Sequence, residues 1–320
     1  MNSIATEMTI LEKLVDAIRS VIGGADRIAL HEPTFGGQEW VYVKECLDTG
    51  WVSSAGPFVD RFEKRLCDYT GARHAVAVVN GTAALHMALL DARVQPGDEV
   101  LVPSLTFAAT ANAVVHACAV PHFVDSTWQT LGIDPGRLAR YLASIVRMQA
   151  GVAVNRTTGR PIRALVPVHI FGHCGNMDAL TAVAHDYRLE VIEDCTEALG
   201  TRVQERVVGA NSRYAVLSFN GNKIVTTGGG GAILTNDADV ASRIRHMTTT
   251  AKAPHRWAFE HDAAGYNYRL PNLNAALGCA QLEQLEYFVQ KKRRLAERYF
   301  DAFETFDGVK MFREPPLCSS

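Results

Sequence analysis

A lysine set in a glycine-rich connection is the first residue whose surroundings suggest chemistry. In SFNGNKIVTTGGGG (218–231), Lys223 stands between two apolar runs, flanked by Ser218, Asn220 and Asn222 and followed by Gly228 to Gly231. A loop lysine is ordinarily a solvated charge. Four consecutive glycines change that expectation, because they admit positive φ and let the backbone lie close to a bound group. A lysine held in such a pocket is desolvated, loses its proton and acts as an amine nucleophile towards an aldehyde.

Three further segments carry residues of the right type. Asp194, in VIEDCTEALG (191–200), ends a strongly apolar run, where a carboxylate is costly unless something pairs with it. Capping a following helix is its alternative role. In VVNGTAALHMALL (78–90), Asn80-Gly81-Thr82 joins a strand to a helix rich in Ala and Leu. That arrangement aims backbone N–H groups and a helix N-terminus at an anion, and Thr82 as a plain N-cap is compatible with it. Phe107, in PSLTFAATANAV (103–114), follows a strand end and either packs in the core or stacks on a planar ring.

Other chemistries find less support. No GxxxxGK[ST] or GxGxxG run is present, and no GxSxG elbow or paired carboxylates stand out. His169 and His173 in HIFGH are four apart, but on a turn after a strand and without HExxH, so no metal is expected. An anion cup, a strand-end acid, a glycine-flanked lysine and an aromatic together fit pyridoxal phosphate. That cofactor needs a Schiff-base lysine, a carboxylate on its ring nitrogen and a phosphate cup.

The elements that must position these residues are read from apolar periodicity. HAVAVV (74–79), EVLVP (99–103), PHFVD (121–125), ALVPVHI (164–170), LEVIEDC (189–195), AVLSF (215–219) and GAILTN (231–236) read as strands. Helical stretches TAALHMALLDA, TFAATANAVVHAC and MDALTAVAHDY lie among them. Apolar strands alternating with helices predict an α/β fold with a mostly parallel sheet covered on both faces, and ligands bind beyond the carboxyl ends of such strands. A long helical segment (273–303) follows, whose stripe of Leu282, Leu285, Phe288, Val289, Leu295, Tyr299 and Phe303 is assigned to packing.

Composition narrows the class. The chain has 320 residues, 48% hydrophobic and 21% charged, which fits a globular protein of about two domains. Thirty-two basic against 34 acidic residues give a formal charge of −2, so no general attraction to nucleic acid or anionic membrane is expected. The N-terminal stretch carries Glu7, Glu12 and Asp16 and reads as an amphipathic helix rather than a signal peptide. Seven scattered cysteines without a Cys-x-x-Cys pair predict reduced thiols and a cytoplasmic location.

The motifs GWVSSAGPFVDRFE, NGTAAL, PSLTF with AAT, VIED, SFNGNK and GYNYR occur in one order that resembles the DegT/DnrJ/StrS family of pyridoxal-phosphate sugar aminotransferases. The likeness runs from HEPTFGGQEW (31–40) through GYNYRLPNLNAALG (265–278) to the helix ending near Phe303. It implies an aspartate-aminotransferase-like fold (fold type I of pyridoxal-phosphate enzymes), with a large domain of mostly parallel, mixed sheet flanked by helices and a smaller C-terminal domain. The corresponding divisions are an N-terminal extension (1–30), a cofactor-binding domain (31–240) and the start of a second domain (241–320). Family members continue for several more elements, so the small domain is expected to be incomplete at Ser320.

The same resemblance assigns roles. Lys223 is implied as the Schiff-base lysine, Asp194 as the partner of the ring nitrogen, and Phe107 as the stacking aromatic. Gly81, Thr82 and Ser218 would hold the phosphate, with Asn80 also among the cofactor-binding residues. Glu197 stands where the family commonly has Gln or His, as in some 4-aminating members. Asn267 would reach the cofactor of a partner subunit, which implies a homodimer with shared sites. The segment GVAVNRTTGRPIRALVPVHIFGHCGNMDAL resembles aminotransferases of bacillosamine and legionaminic-acid synthesis. Those act on a UDP-4-keto-6-deoxy-N-acetylhexosamine with L-glutamate as donor. GDP-perosamine-type or 3-aminating activity, or a catalytically silent regulatory protein, are the alternatives.

Overall fold

The computed structural model describes every residue except 1, 24–27, 256, 305, 307 and 317, with side chains described from residue 10 onward. Its helices are α1 (Asn2–Ile22), α2 (Glu39–Thr49), α3 (Pro57–Thr70), α4 (Gly81–Asp91), α5 (Ala108–His116), α6 (Pro135–Ile145), α7 (Met177–Asp186), α8 (Ala238–Thr248), α9 (Asn272–Leu282) and α10 (Leu285–Phe303). The strands are β1 (His74–Val78), β2 (Glu99–Pro103), β3 (Val120–Val124), β4 (Val146–Gln149), β5 (Val152–Asn155), β6 (Pro161–Leu165), β7 (Glu190–Asp194), β8 (Arg202–Val203), β9 (Arg206–Val207), β10 (Tyr214–Ser218), β11 (Gly231–Thr235) and β12 (Cys318–Ser319).

Two compact units result, residues 1–32 with 285–313, and residues 33–284 with 314–320. The first contains α1 and α10. On α10, Leu285, Phe288 and Phe303 are buried, as the packing stripe requires, and Phe303 lies 5.5 Å from Phe306. On α1, by contrast, Leu11 and Val15 of the expected apolar face are exposed and Val21 is buried. The expected continuous helix over 273–303 is two helices, α9 and α10, separated at Glu283–Gln284. Among the described residues no helix is long and apolar enough to cross a membrane.

The second unit is built on a nine-stranded sheet whose main path runs β1-β11-β10-β7-β6-β2-β3. Strands β10, β7, β6, β2 and β3 are joined by parallel ladders, whereas β11 runs antiparallel to both of its neighbours, β1 and β10. The expected mostly parallel sheet is therefore present, with one reversed strand in its interior. The β4–β5 hairpin, which the apolar pattern did not mark, attaches to the start of β6.

Alternation explains how both faces are covered. Val100 and Val102 of β2 pack with α4 and α5, while Leu101 between them packs with α6 and α7. A strand buried on both sides must be apolar throughout, which is why these runs read as continuous rather than alternating. The run expected as a strand over 164–170 is shorter in the fold. Regular pairing stops at Leu165, Pro167 lacks an N–H to donate, and a short 3₁₀ turn forms at Ile170–Gly172. Val168 still bridges to Asp194, so the chain stays beside β7 as it leaves the sheet.

Candidate active site

The carboxyl ends of β1, β7 and β10 surround a cavity of about 180 Å³. Asn80, Gly81, Thr82, Phe107, Asp194, Glu197, Ser218 and Lys223 all line it. These segments lie far apart in the chain, and the parallel strands bring their ends to one edge of the sheet. Asn267 does not join them. It is exposed on the segment that bridges to Thr249, outside the lining of this cavity.

The turn after β1 is built by its own cap. Asn80 sits in extended backbone and its Oδ1 accepts the Ala83 N–H at 2.8 Å, so Asn80, not Thr82, caps α4. Asn80 O accepts from Ala84 N at 3.1 Å. The leading N–H groups of Gly81 and Thr82 have no place in the helix ladder, and both residues line the cavity. A Cβ at Gly81 would crowd the cup, standing 3.0 Å from Ser218 Cβ and 3.3 Å from its Oγ and from Thr196 Cγ2.

Asp194 ends β7 with only 3% of its surface exposed. It caps no helix. Its Oδ1 accepts the Thr196 N–H at 3.2 Å and its Oδ2 accepts the Thr110 hydroxyl at 2.8 Å. A buried carboxylate satisfied in this way keeps lone pairs free to accept from a group in the cavity. Thr110 and Thr196 are contributors that residue type alone did not single out.

Lys223 lies in the connection between β10 and β11, with its amine 3.5 Å from Glu197 Oε1 and its side chain 15% exposed. Glu197 also accepts the Phe171 N–H at 2.9 Å. Phe171 has φ of 55°, a left-handed backbone unusual for an aromatic residue, so this bond helps hold a strained turn beside the cavity. Phe107 is the residue before α5 and is 74% exposed, which removes core packing as its role and leaves its ring at the cavity wall.

The glycine run divides by function. Gly229 and Gly230 line the cavity, as does Gly81. Gly228 adopts φ of +79° and serves the turn. Gly231 answers to protein packing instead, since a Cβ there would fall 2.5 Å from Asn80 C and O. The expectation that all these glycines face a cofactor is thus corrected for Gly228 and Gly231.

A second polar group lies on the other side of β7. Glu193 and Cys195 flank Asp194 and, by strand alternation, point away from it. Glu193 Oε2 is 3.1 Å from His169 Nε2 and 3.8 Å from Cys195 Sγ, and its Oε1 accepts from Ser212. One donor atom from each of His169, Glu193 and Cys195 lies within 4.8 Å of the others. Burial pushes the Cys195 thiol up to about 12, so it stays protonated at neutral pH. Burial opposes charge on His169, but Cys195, Cys174 and Glu193 offset it and hold this histidine well above its ordinary range. The trio is a hydrogen-bonded network centred on Glu193 Oε2. His173, the other member of the histidine pair, turns instead to Ser320, 3.0 Å away.

Solved structures that share this fold identify its class. A DegT/DnrJ/EryC1/StrS aminotransferase from Brucella abortus superposes with a TM-score of 0.79 at 31% identity, covering 88% of this chain and 72% of its own. DesV from S. venezuelae gives 0.78 at 31% identity, covering 88% and 71%. These neighbours are pyridoxal phosphate-dependent aminotransferases of fold type I, and this chain is an enzyme of that class.

The family model for DegT/DnrJ/EryC1/StrS aminotransferases matches residues 33–318, and the chain belongs to that family. It is 40% identical over 273 residues to the GDP-perosamine synthase of Caulobacter vibrioides, covering 85% of this chain and 69% of the relative. A protein named as a pyridoxal phosphate-dependent aminotransferase, EpsN of Bacillus subtilis, is 37% identical over 288 residues, covering 90% and 71%. Amino transfer to a sugar substrate is the activity these relations support. The residues present suit the cofactor: Gly81 keeps the cup open where a Cβ would fill it, and Asp194 is a buried acceptor at the cavity wall.

Proposed function

We propose that this chain transfers an amino group from L-glutamate to the C4 ketone of a UDP-4-keto-6-deoxy-N-acetylhexosamine. The observation that carries the reading is the meeting of Lys223, Asp194 and the Asn80–Thr82 turn on one cavity. The UDP sugar is favoured by the residue motifs of 151–180 and 218–231, and the location proposed is the cytoplasm.

When bound, pyridoxal phosphate supplies an aldehyde that condenses with amines and a ring that accepts electrons from a neighbouring carbanion. Lys223 Nζ would be the amine that holds the cofactor and the base that would move a proton at the amino-donor Cα. Glu197, 3.5 Å from that amine, would pair with it once it has taken up the proton. Asp194 would accept a hydrogen bond from the ring nitrogen and so favour its protonated form. Gly81, Thr82 and Ser218 bind the phosphate through N–H and hydroxyl groups, aided by the positive end of α4. Phe107, at the cavity wall, would cover one face of the ring and exclude water there.

Asn267 is proposed to serve the site of a second copy. Tyr266 and Tyr268 on either side pack against the buried His86 at 5.2 and 6.2 Å, which leaves Asn267 turned outward and exposed. A homodimer with shared sites follows from this reading.

Purified protein loaded with pyridoxal phosphate should show the visible absorbance of a lysine-bound cofactor, and Lys223→Ala should lose it. A wild-type chain that stays colourless after loading would overturn the assignment of the site. A GDP-linked substrate is the second reading, favoured by the 40% and 39% identity to GDP-perosamine synthases of Caulobacter vibrioides and Escherichia coli O157:H7. Turnover with glutamate of UDP- and GDP-linked 4-keto sugars side by side decides between them.

A further inference from the structure

Thr110 spends its hydroxyl in an unusual way. Thr49, Thr70, Thr248 and Thr249, at or near helix C-termini, each donate to the carbonyl four residues back, at 2.7–2.8 Å. Thr110 lies in the first turn of α5, is 2% exposed, and donates to Asp194 Oδ2 at 2.8 Å. Thr106 Oγ1 lies 2.8 Å from Thr110 Oγ1. A hydroxyl has one proton. An ionised Asp194 can only accept, so the Thr110 proton is committed to it, and Thr106 is the donor of the second bond, its other acceptor, Phe107 O, lying farther off at 3.4 Å.

We infer that Thr106 and Thr110 form a directed hydroxyl relay that fixes Asp194 in position. Bonds in such a chain strengthen one another in a buried setting. Thr196 N holds the other oxygen, so the carboxylate is clamped from two elements, α5 and the turn after β7. Thr110 is a positioning residue, because it acts on the cofactor only through Asp194. The inference rests on the proposed pairing of Asp194 with the ring nitrogen.

The test uses the cofactor-loaded protein and four variants: Thr110→Val, Thr110→Ser, Thr106→Val and Asp194→Asn. Two quantities are read, the pH midpoint of the visible band without substrate and the kcat and KM of amino transfer. Thr110→Val should move the midpoint upward, because an Asp194 no longer held in place protonates the ring less firmly, and the ring then withdraws less charge from the Lys223 nitrogen whose proton the band reports. It should lower kcat about tenfold, the scale of one hydrogen bond to a charged acceptor, with KM for the keto sugar little changed. Thr110→Ser should restore both. Thr106→Val, one bond further away, should shift both in the same direction by about threefold in kcat, and it carries the test if Thr110→Val does not fold.

A Thr110→Val protein with the wild-type midpoint overturns the relay, whether or not its melting temperature falls. Asp194→Asn separates that failure from a deeper one. If Asp194→Asn moves the midpoint and Thr110→Val does not, the relay alone is wrong. If Asp194→Asn also leaves the midpoint and kcat unchanged, the pairing of Asp194 with the ring nitrogen is wrong as well.

Discussion

Replacing Gly231 by alanine should damage the turn that precedes α4 before any ligand is involved. Gly231 opens β11 in register with Val78 of β1 on one side and Ser218 of β10 on the other. An added Cβ would lie 2.5 Å from Asn80 C and O and 2.7 Å from Gly81 N. Ordinary contact is about 3.5 Å, so roughly 1 Å of backbone movement is required. The atoms that must move are backbone, and they carry the cap of α4: Asn80 Oδ1 to Ala83 N at 2.8 Å and Asn80 O to Ala84 N at 3.1 Å.

Forcing one methyl into a packed site costs about 1–3 kcal/mol, and weakening a cap about 1 more. A loss of about 2–4 kcal/mol follows, or a fall in Tm of roughly 4–8 °C at about 2 °C per kcal/mol for a chain of this length. Thermal unfolding of the cofactor-free protein measures it, and fluorescence titration with pyridoxal phosphate measures the cup. Gly229→Ala is the contrast, since its Cβ would meet nothing nearer than Val79 O at 4.0 Å although the residue lines the cavity. That variant should melt at or above the wild-type temperature and bind the cofactor more weakly. Equal melting temperatures for Gly231→Ala and wild type, within about 1 °C, would refute the steric reasoning.

Three further outcomes are expected. His86 is buried with neither ring nitrogen hydrogen-bonded, and burial, then His116 at 6.0 Å, lowers its pKa. A histidine depressed in the folded state costs stability as pH falls below about 6.5, at up to about 1.4 kcal/mol per pH unit, and His86→Phe should flatten that slope in urea unfolding measured from pH 7 to 5. Asn272 is fully buried, accepts from Phe58 N at 2.9 Å and donates to Trp51 O at 2.7 Å, so Asn272→Ala should lose about 2–4 kcal/mol by leaving both unpaired, read as a lowered urea midpoint. Glu197→Gln keeps an acceptor for the Phe171 N–H and removes a weak, partly exposed charge contact, so kcat/KM should change less than about fivefold, while Glu197→Ala also releases the strained Phe171 turn and should lose more.

Strand composition and turn chemistry made most of this site legible in the sequence. Apolar runs located β1, β2, β7, β10 and β11 to within a residue or two, and the residues just beyond β1, β7 and β10 converge on one cavity. What escaped were features set by partners distant in the chain. Residues 273–303 contain no proline at the helix break, yet the helix divides at Glu283–Gln284. Glu283 accepts from Tyr42, Arg61 and Arg65, and Gln284 donates to Glu39, so tertiary bonds override local propensity there. The Thr110–Asp194 bond spans 84 positions, and no local pattern announces it.

The direction of β11 was equally invisible, because a buried strand is apolar whichever way it runs, yet that direction makes the site. If β11 were parallel to β10, the connection would have to cross the sheet and return at its opposite edge, carrying Lys223 away from the carboxyl ends. Because β11 is antiparallel, residues 219–230 reverse at the same edge where β1, β7 and β10 end. The loop therefore delivers Lys223 between the turn after β1 and Asp194. The cost falls on the first residue of the returning strand, which must pass the Asn80–Gly81 backbone at a distance that admits no side chain. Gly231 is thus the packing consequence of placing a lysine and an anion cup at one end of the sheet; Gly230, which lines the cavity, is also crowded by Thr227 and Leu270, and Gly229 is left to face what binds there.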